Sequence, residues 1–227
     1  PARLPLPDNT CHVLPRFDAD VMAIETQLLL DWYWPAAYGE EAPAEMREEF
    51  NALWRPLFMR LQKTDSHWLL RDYHSPNLLR LDGRDPPADI GVIDFQDALR
   101  GPAAYDLVSL LQDARVDVSA ALEQQLFEHY CAQIETVEPD FDRIAFAFDY
   151  AALGAQRNTK ILGIFARLAR RDGKPQYLSH LPRIWDYLAR DLDHNDLAEL
   201  RGWYELNFPP DKRAATAHAM MERKQPV

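Results

Sequence analysis

Leu69-Leu70-Arg71-Asp72-Tyr73-His74-Ser75-Pro76-Asn77-Leu78-Leu79-Arg80-Leu81, the cluster Asp82-Gly83-Arg84-Asp85-Pro86-Pro87, and then Ile90-Gly91-Val92-Ile93-Asp94-Phe95 form the stretch whose reading decides the fold. Two short apolar runs, Leu78 to Leu81 and Ile90 to Phe95, flank a segment of turn-forming residues, which predicts two strands joined as a hairpin. Trp68-Leu69-Leu70 reads as a further short strand. If the hairpin pairs symmetrically, with Leu81 facing Ile90, Asn77 falls opposite Asp94 at its open end, beside the loop that carries Asp72. A slip of one residue would turn the two side chains to opposite faces, so the register tests the arrangement.

The chemistry follows from the order of oxygen-bearing side chains. An Asp, an Asn five positions on, and an apolar run ending in a second Asp suit phosphoryl transfer of the kinase type. In that pattern Asp72 accepts or orients the proton of an attacking hydroxyl, while Asn77 and Asp94 hold divalent ions. Magnesium favours such oxygen ligands, completed by water and phosphate rather than by a full protein cage. The plainer reading is that Asp, His and Asn beside a proline hydrogen-bond their own loop backbone. His74 reads as a packed residue shaping the loop, with contact to phosphate or hydroxyl as the alternative. Arg71 reads as a brace for a neighbouring carboxylate, with pairing to a phosphate as the alternative, and Asp97 as an outer group or a solvated turn residue. Asp106, in the first turn of a predicted helix, either favours the helix dipole or accepts backbone N–H groups of the 72–77 loop.

Around this centre the chain reads as helical. A helix is predicted from Asp18 to about Trp34, ended by Pro35, with Val21, Ile24, Leu28 and Trp32 on one face. A second opens near Pro43 and carries Met46, Phe50, Leu53, Leu57 and Leu61, with Pro56 as a kink. Further helices are expected near 103–114, 119–136, 140–170, 177–193 and 196–206. The fold class is therefore α+β, mostly helical, with a small hairpin carrying the proposed metal-binding residues.

The 227 residues suffice for a full core, and 47% hydrophobic with 27% charged residues is ordinary for a globular chain. A formal charge of −11 argues against a nucleic-acid partner, which demands a basic face, but not against a nucleotide bound through a divalent metal. Cys11 and Cys131 fit neither a disulfide framework nor a zinc site and read as small buried hydrophobes, which suits a reducing cytoplasm. No stretch reaches the roughly 18 apolar residues of a membrane span, and Pro1 to Thr10 lack the order of a secretion signal. A cytoplasmic protein with no membrane partner is expected.

Asp72-x-His74-x-x-Asn77, Ile93-Asp94-Phe95, and Gly101 through Asp106-Leu107 resemble the aminoglycoside phosphotransferase and choline kinase superfamily. That resemblance implies the C-terminal lobe of a protein-kinase-like fold, with Asp72 as catalytic base, Asn77 and Asp94 binding Mg2+, Asp106 structural, and ATP or GTP as co-substrate. Leu70-Arg71 stands where the family more often has His-Gly. A closer resemblance covers Leu30-Asp31-Trp32-Tyr33-Trp34-Pro35, Asp94 to Arg115, Ala155-Gln156-Arg157-Asn158 and Ile164-Phe165-Ala166-Arg167. It is to the anomeric kinases that phosphorylate N-acetylmuramate and N-acetylglucosamine at C1 in bacterial cell-wall recycling. It implies a sugar in a cleft between Asp72 and the helices at 18–34 and 140–170, with Glu25, Gln156, Arg157 and Asn158 as candidate sugar-binding residues. Their alternative is helix-surface solvation with intrahelical pairs.

Kinases of this fold use an N-terminal lobe with a loop over the phosphates and a strand lysine. Here the first glycine is Gly39 and the first lysine is Lys63, in a predicted helix. The expectation is that residues 1–16 are an extended lead-in from a missing N-terminal lobe, and 17–227 the helical catalytic C-terminal lobe, poorly active by itself. Three other readings compete: a non-catalytic kinase-like binding module, a metal-dependent hydrolase on Asp72, His74 and Asp94, and a kinase for aminoglycosides or choline. An aminoglycoside would use the acidic run Asp186, Asp191, Asp193, Asp196 and Glu199; choline would use an aromatic cage from Trp32, Tyr33, Trp34 and Trp203.

Overall fold

The structure is a computed structural model that describes residues 3–64 and 67–222. Pro1 and Ala2 of the predicted lead-in, and the end of the predicted lobe from residue 223, lie outside the described residues. The strands are β1 (Arg3–Pro5), β2 (Cys11–Val13), β3 (His67–Leu69), β4 (Leu78–Arg80), β5 (Ile90–Val92) and β6 (Leu99–Gly101). The helices are α1 (Ala19–Leu28), α2 (Trp34–Tyr38), α3 (Ala44–Leu61), α4 (Ala104–Leu111), α5 (Ala120–Val137), α6 (Arg143–Arg170), α7 (Leu181–Leu192), α8 (Ala198–Asn207) and α9 (Pro210–Glu222). The chain divides into two compact units, one of residues 1–18 and 61–150, the other of 19–60 and 151–227.

In the first unit the strands pair as three antiparallel ladders, β1 with β2, β3 with β6 and β4 with β5. Residues 3–13 are thus a hairpin rather than the extended lead-in that four prolines suggested. Strand β6, which the sequence pattern missed, lies across from β3, with Leu69 opposite Leu99 and His67 opposite Gly101. On it the Arg100 carbonyl accepts the Phe17 N–H at 2.8 Å, and the Arg100 N–H donates to the Pro15 carbonyl at 2.8 Å. Gly101 lets the strand lie close to its neighbours, since a Cβ would come within 2.6 Å of Leu69 Cδ1 and 3.1 Å of Phe17 Cβ. Leu14, Phe17, Leu69, Tyr105, Val108 and Leu111 are buried, and the Phe17 and Tyr105 rings meet edge-on at 4.8 Å. This core seats α4 against the β3–β6 ladder, which positions the loop between β3 and β4. Cys131 is buried as expected, but Cys11 is exposed, on a strand with no core to enter.

The second unit is helical. The first helical run does not stop at Pro35: it continues as α2 to Tyr38 and ends on Gly39 in the left-handed conformation at φ 81°. A π-helical turn over Leu29–Tyr33 makes this possible, with Trp34 N–H bonded to the Leu29 carbonyl. The wider turn opens space at the carbonyl that a proline ring would otherwise strike. In α3 the buried residues are Phe50, Trp54, Phe58 and Leu61. The buried stripe is thus rotated from the predicted one, with Leu53 and Leu57 only half-buried. Tyr33, Trp34, Trp185, Trp203, Tyr204 and Phe208 form an aromatic core, with Tyr33 edge-on to Trp185 at 5.5 Å and to Phe208 at 5.4 Å. The predicted helix at 177–193 opens as a 3-10 turn over Pro175–His180 before α7, and α9 was not anticipated. Among the described residues no helix is long and apolar enough to cross a membrane.

Candidate active site

The β4–β5 hairpin forms, but its register is one residue from the predicted one: Arg80, not Leu81, faces Ile90, and Leu78 faces Val92. The Ile93 N–H donates to the Asn77 carbonyl at 3.0 Å, so the ladder continues with Asn77 across from Ile93. In two regular strands this slip would send the Asn77 and Asp94 side chains to opposite faces. They nevertheless meet, with Asn77 Nδ2 3.4 Å from Asp94 Oδ2. Neither residue sits in regular strand. Asn77 closes the 3-10 turn Ser75–Asn77, and Asp94 adopts a left-handed φ of 60°, which swings its carboxylate back toward Asn77. Aspartate tolerates that conformation better than most residues.

Asn77 is buried, and its Nδ2 also donates to the Asp72 carbonyl at 2.9 Å. With Nδ2 so engaged, its Oδ1 is the atom left to meet a cation. Asp94 is exposed, and its Oδ1 accepts the Gln96 side-chain N–H at 2.6 Å, a contact that sequence reasoning missed. Asp72 is exposed, at the start of a loop whose own bonds fix its path: His74 N–H donates to the Asp72 carbonyl at 3.0 Å and Asn77 N–H to the His74 carbonyl at 2.9 Å.

Asp106 grips the loop from the first turn of α4, accepting the Leu70 N–H on Oδ2 at 2.7 Å and the Arg71 N–H on Oδ1 at 3.0 Å. Arg71 stands at φ 66°, a conformation costly for a residue with a Cβ, so these bonds hold a strained backbone. The Ser109 hydroxyl, one turn along α4, donates to the Arg71 carbonyl at 3.3 Å. The carboxylate of Asp106 thus meets Arg71 through the backbone. His74 is buried, with Arg115 Nη1 3.5 Å from its Nε2. Asp97 is exposed in a turn closed by Ala98 N–H to the Phe95 carbonyl at 3.1 Å.

The donor set suits a hard cation held jointly with a phosphate. It offers an amide oxygen and a carboxylate, and among the described residues no group of three His, Cys, Asp or Glu forms a cage.

The four nominated sugar-binding residues lie in the second unit, and none is solvated on a helix surface: Glu25, Gln156, Arg157 and Asn158 are all buried. Gln156 Nε2 donates to Glu25 Oε2 at 3.0 Å, and Lys160 Nζ to Glu25 Oε1 at 2.6 Å. Asn158 turns instead to Asp191, its Nδ2 2.9 Å from Oδ2. Asp191 is therefore buried within the acidic run, while Asp196 pairs with Arg60 at 2.6 Å and Asp193 with Arg201 at 3.3 Å. Tyr33, Trp34 and Trp203 are core residues rather than an open cage.

The profile of the phosphotransferase enzyme family matches residues 7–147, the span that contains the loop, the hairpin and α4. The chain belongs to this family. Among curated proteins it is similar to the N-acetylmuramate/N-acetylglucosamine kinase of Caulobacter vibrioides, 38% identical over 201 residues, which cover 88% of this chain and 54% of that protein. The enzyme of the same name from Pseudomonas aeruginosa is 37% identical over 198 residues, 85% of this chain and 56% of its own length. That of Neisseria meningitidis is 35% identical over 182 residues, 78% and 52% respectively. The chain spans about half the length of these curated relatives. Within the phosphotransferase family, the segments carrying Asp72, Asn77, Asp94 and Asp106 all fall inside the matched residues.

Proposed function

We propose that this chain is the catalytic lobe of a small-molecule kinase that transfers the terminal phosphoryl group of ATP or GTP to an amino sugar. The acceptor is the anomeric hydroxyl of N-acetylmuramate or N-acetylglucosamine, in the cytoplasmic recycling of cell wall. The observation that carries the reading is the meeting of Asn77 and Asp94 at the end of a hairpin, tied by Asn77 to the Asp72 backbone. The names of the curated relatives support the sugar.

In this reading Asp72, exposed at the loop's start, accepts the proton of the sugar hydroxyl as its oxygen attacks the terminal phosphorus. The bond from that phosphorus to the bridging oxygen of the nucleoside diphosphate breaks, and solvent then takes the proton from Asp72. Asn77 Oδ1 and the Asp94 carboxylate would hold Mg2+, which neutralises charge on the phosphates when bound. Gln96 and the Asp72 carbonyl orient these two ligands through the bonds described above. Glu25, Gln156, Arg157 and Asn158 remain the proposed sugar-recognising set, as amide and guanidinium groups suit hydroxyls and an N-acetyl group. Among the described residues Gln156 Oε1 is buried without a hydrogen-bond partner, which leaves an acceptor to offer.

The test is a coupled nucleotide-consumption assay on the natural full-length protein, with N-acetylmuramate, N-acetylglucosamine, choline and aminoglycosides as acceptors. Magnesium-dependent consumption with the two N-acetyl sugars is expected. Preference for choline or an aminoglycoside would move the acceptor, and binding of sugar with no consumption under any condition would make the protein a binding module.

A further inference from the structure

The loop from Leu70 to Asn77 is tied down at a second place that the motif does not announce. Asp113, just past the end of α4, is buried, and each of its oxygens accepts a backbone N–H: Oδ2 from Ser75 at 3.0 Å and Oδ1 from Arg115 at 2.8 Å. A carboxylate is costly to bury unless its oxygens are hydrogen-bonded in this way. Arg115 then places Nη1 3.5 Å from His74 Nε2. A guanidinium only donates, so the imidazole nitrogen facing it accepts. Residues 74 and 75, midway between Asp72 and Asn77, are therefore held together by the 113–115 segment.

That segment rests on a fixed frame. Gln112 is buried and donates from Nε2 to Glu123 Oε1 on α5 at 2.8 Å, and the Tyr150 hydroxyl donates to the same oxygen at 2.9 Å. Asp106 lies in the first turn of α4 and Asp113 just beyond its last, so a carboxylate comes to the loop from each end of this helix. Asp106 fixes the Leu70–Arg71 end. We infer that Asp113 is a positioning residue that fixes the other end. It sets the span from Asp72 to Asn77, and with it the place where Asn77 meets Asp94 to receive the cation. The inference rests on the phosphoryl-transfer reading above.

The experiment compares Asp113→Asn and Asp113→Ala in the natural full-length protein. It follows amide exchange of the peptide spanning 70–78, binding of Mn2+ alone, and the Mg2+ dependence of turnover separately from its maximum. Loss of a hydrogen bond to a charged acceptor predicts roughly tenfold faster exchange at Ser75 and roughly tenfold weaker Mn2+ binding in Asp113→Ala. The half-saturating Mg2+ concentration rises with it, and Asp113→Asn, which keeps one acceptor oxygen, falls between. A merely structural carboxylate would lower stability without moving metal affinity in the folded fraction. Unchanged Ser75 exchange and Mn2+ affinity in Asp113→Asn, whether or not Asp113→Ala folds, overturns the inference. If the wild-type protein phosphorylates none of the acceptors, the functional reading falls, and exchange and Mn2+ binding still decide the role of Asp113.

Discussion

Replacing Asp106 by asparagine should loosen the start of the candidate catalytic loop while leaving its far end in place. The carboxylate accepts two backbone N–H groups, from Leu70 at 2.7 Å and Arg71 at 3.0 Å. Asparagine keeps one acceptor and presents an NH2 group to the other donor, so one charge-assisted bond is lost and the second weakened. Bonds of this type contribute about 1.5–3 kcal/mol each. Arg71 adds to the loss, because its φ of 66° is a conformation that favours release once the bonds go. A local opening free energy lower by about 2–3 kcal/mol corresponds to a roughly 30- to 150-fold faster amide exchange. Hydrogen exchange resolved at Leu70 and Arg71 measures it, with Ser75, which bonds to Asp113, changing far less. Wild-type exchange at Leu70 and Arg71 in Asp106→Asn would refute the reasoning, as would equal acceleration at Ser75.

Four further outcomes follow from the second unit. A Cβ at Gly163 would overlap the Leu28 carbonyl and reach 2.6 Å from Leu28 Cβ, so Gly163→Ala should destabilise by about 3 kcal/mol and lower Tm by roughly 5–10 °C. Gly202→Ala, with nothing within 4 Å, should be neutral or stabilise by up to about 1 kcal/mol in the same thermal scan. Glu25→Ala leaves the Lys160 ammonium without its 2.6 Å partner in a site that exposes only 15% of that side chain; it should cost about 3–5 kcal/mol by chemical denaturation, largely recovered in Glu25→Ala/Lys160→Met. Burial pushes the Tyr33 hydroxyl up from 10.0 to about 12, against the hydrogen bond from Trp185. The unfolded tyrosine ionises first, so Tyr33 stabilises fully below about pH 10 and this contribution is lost as pH rises toward about 12. Phenolate absorbance at 295 nm should show one late-titrating tyrosine fewer in Tyr33→Phe, and no change would contradict the assignment.

The residues of the candidate site could be nominated from the sequence, but their geometry could not. Turn chemistry at 82–87 and flanking apolar runs were enough to predict a hairpin, because those signals are local. The register was not legible, since symmetric pairing ignores what the chain does just beyond each strand. The left-handed turn at Asp94 and the 3-10 turn at Asn77 brought the two side chains together by a route that alternation cannot describe. Pro35 misled for a related reason: a breaker signal says nothing of a π-helical turn upstream that makes room for it. The role of Asp106 could be argued from its place in a first turn, whereas Asp113, past the end of α4, carried no signal. The buried links of Gln156 to Glu25 and Asn158 to Asp191 were hidden because polar residues on a helix are expected at its surface.

In the proposed reaction the Asp72 carboxylate carries the proton transfer. Pre-steady-state turnover of Asp72→Asn in the natural full-length protein, with Mg2+, nucleotide and an N-acetyl amino sugar, measures this most directly. A transfer step slowed at least about a hundredfold, with nucleotide affinity unchanged, is the expected result. Transfer at the wild-type rate would contradict it.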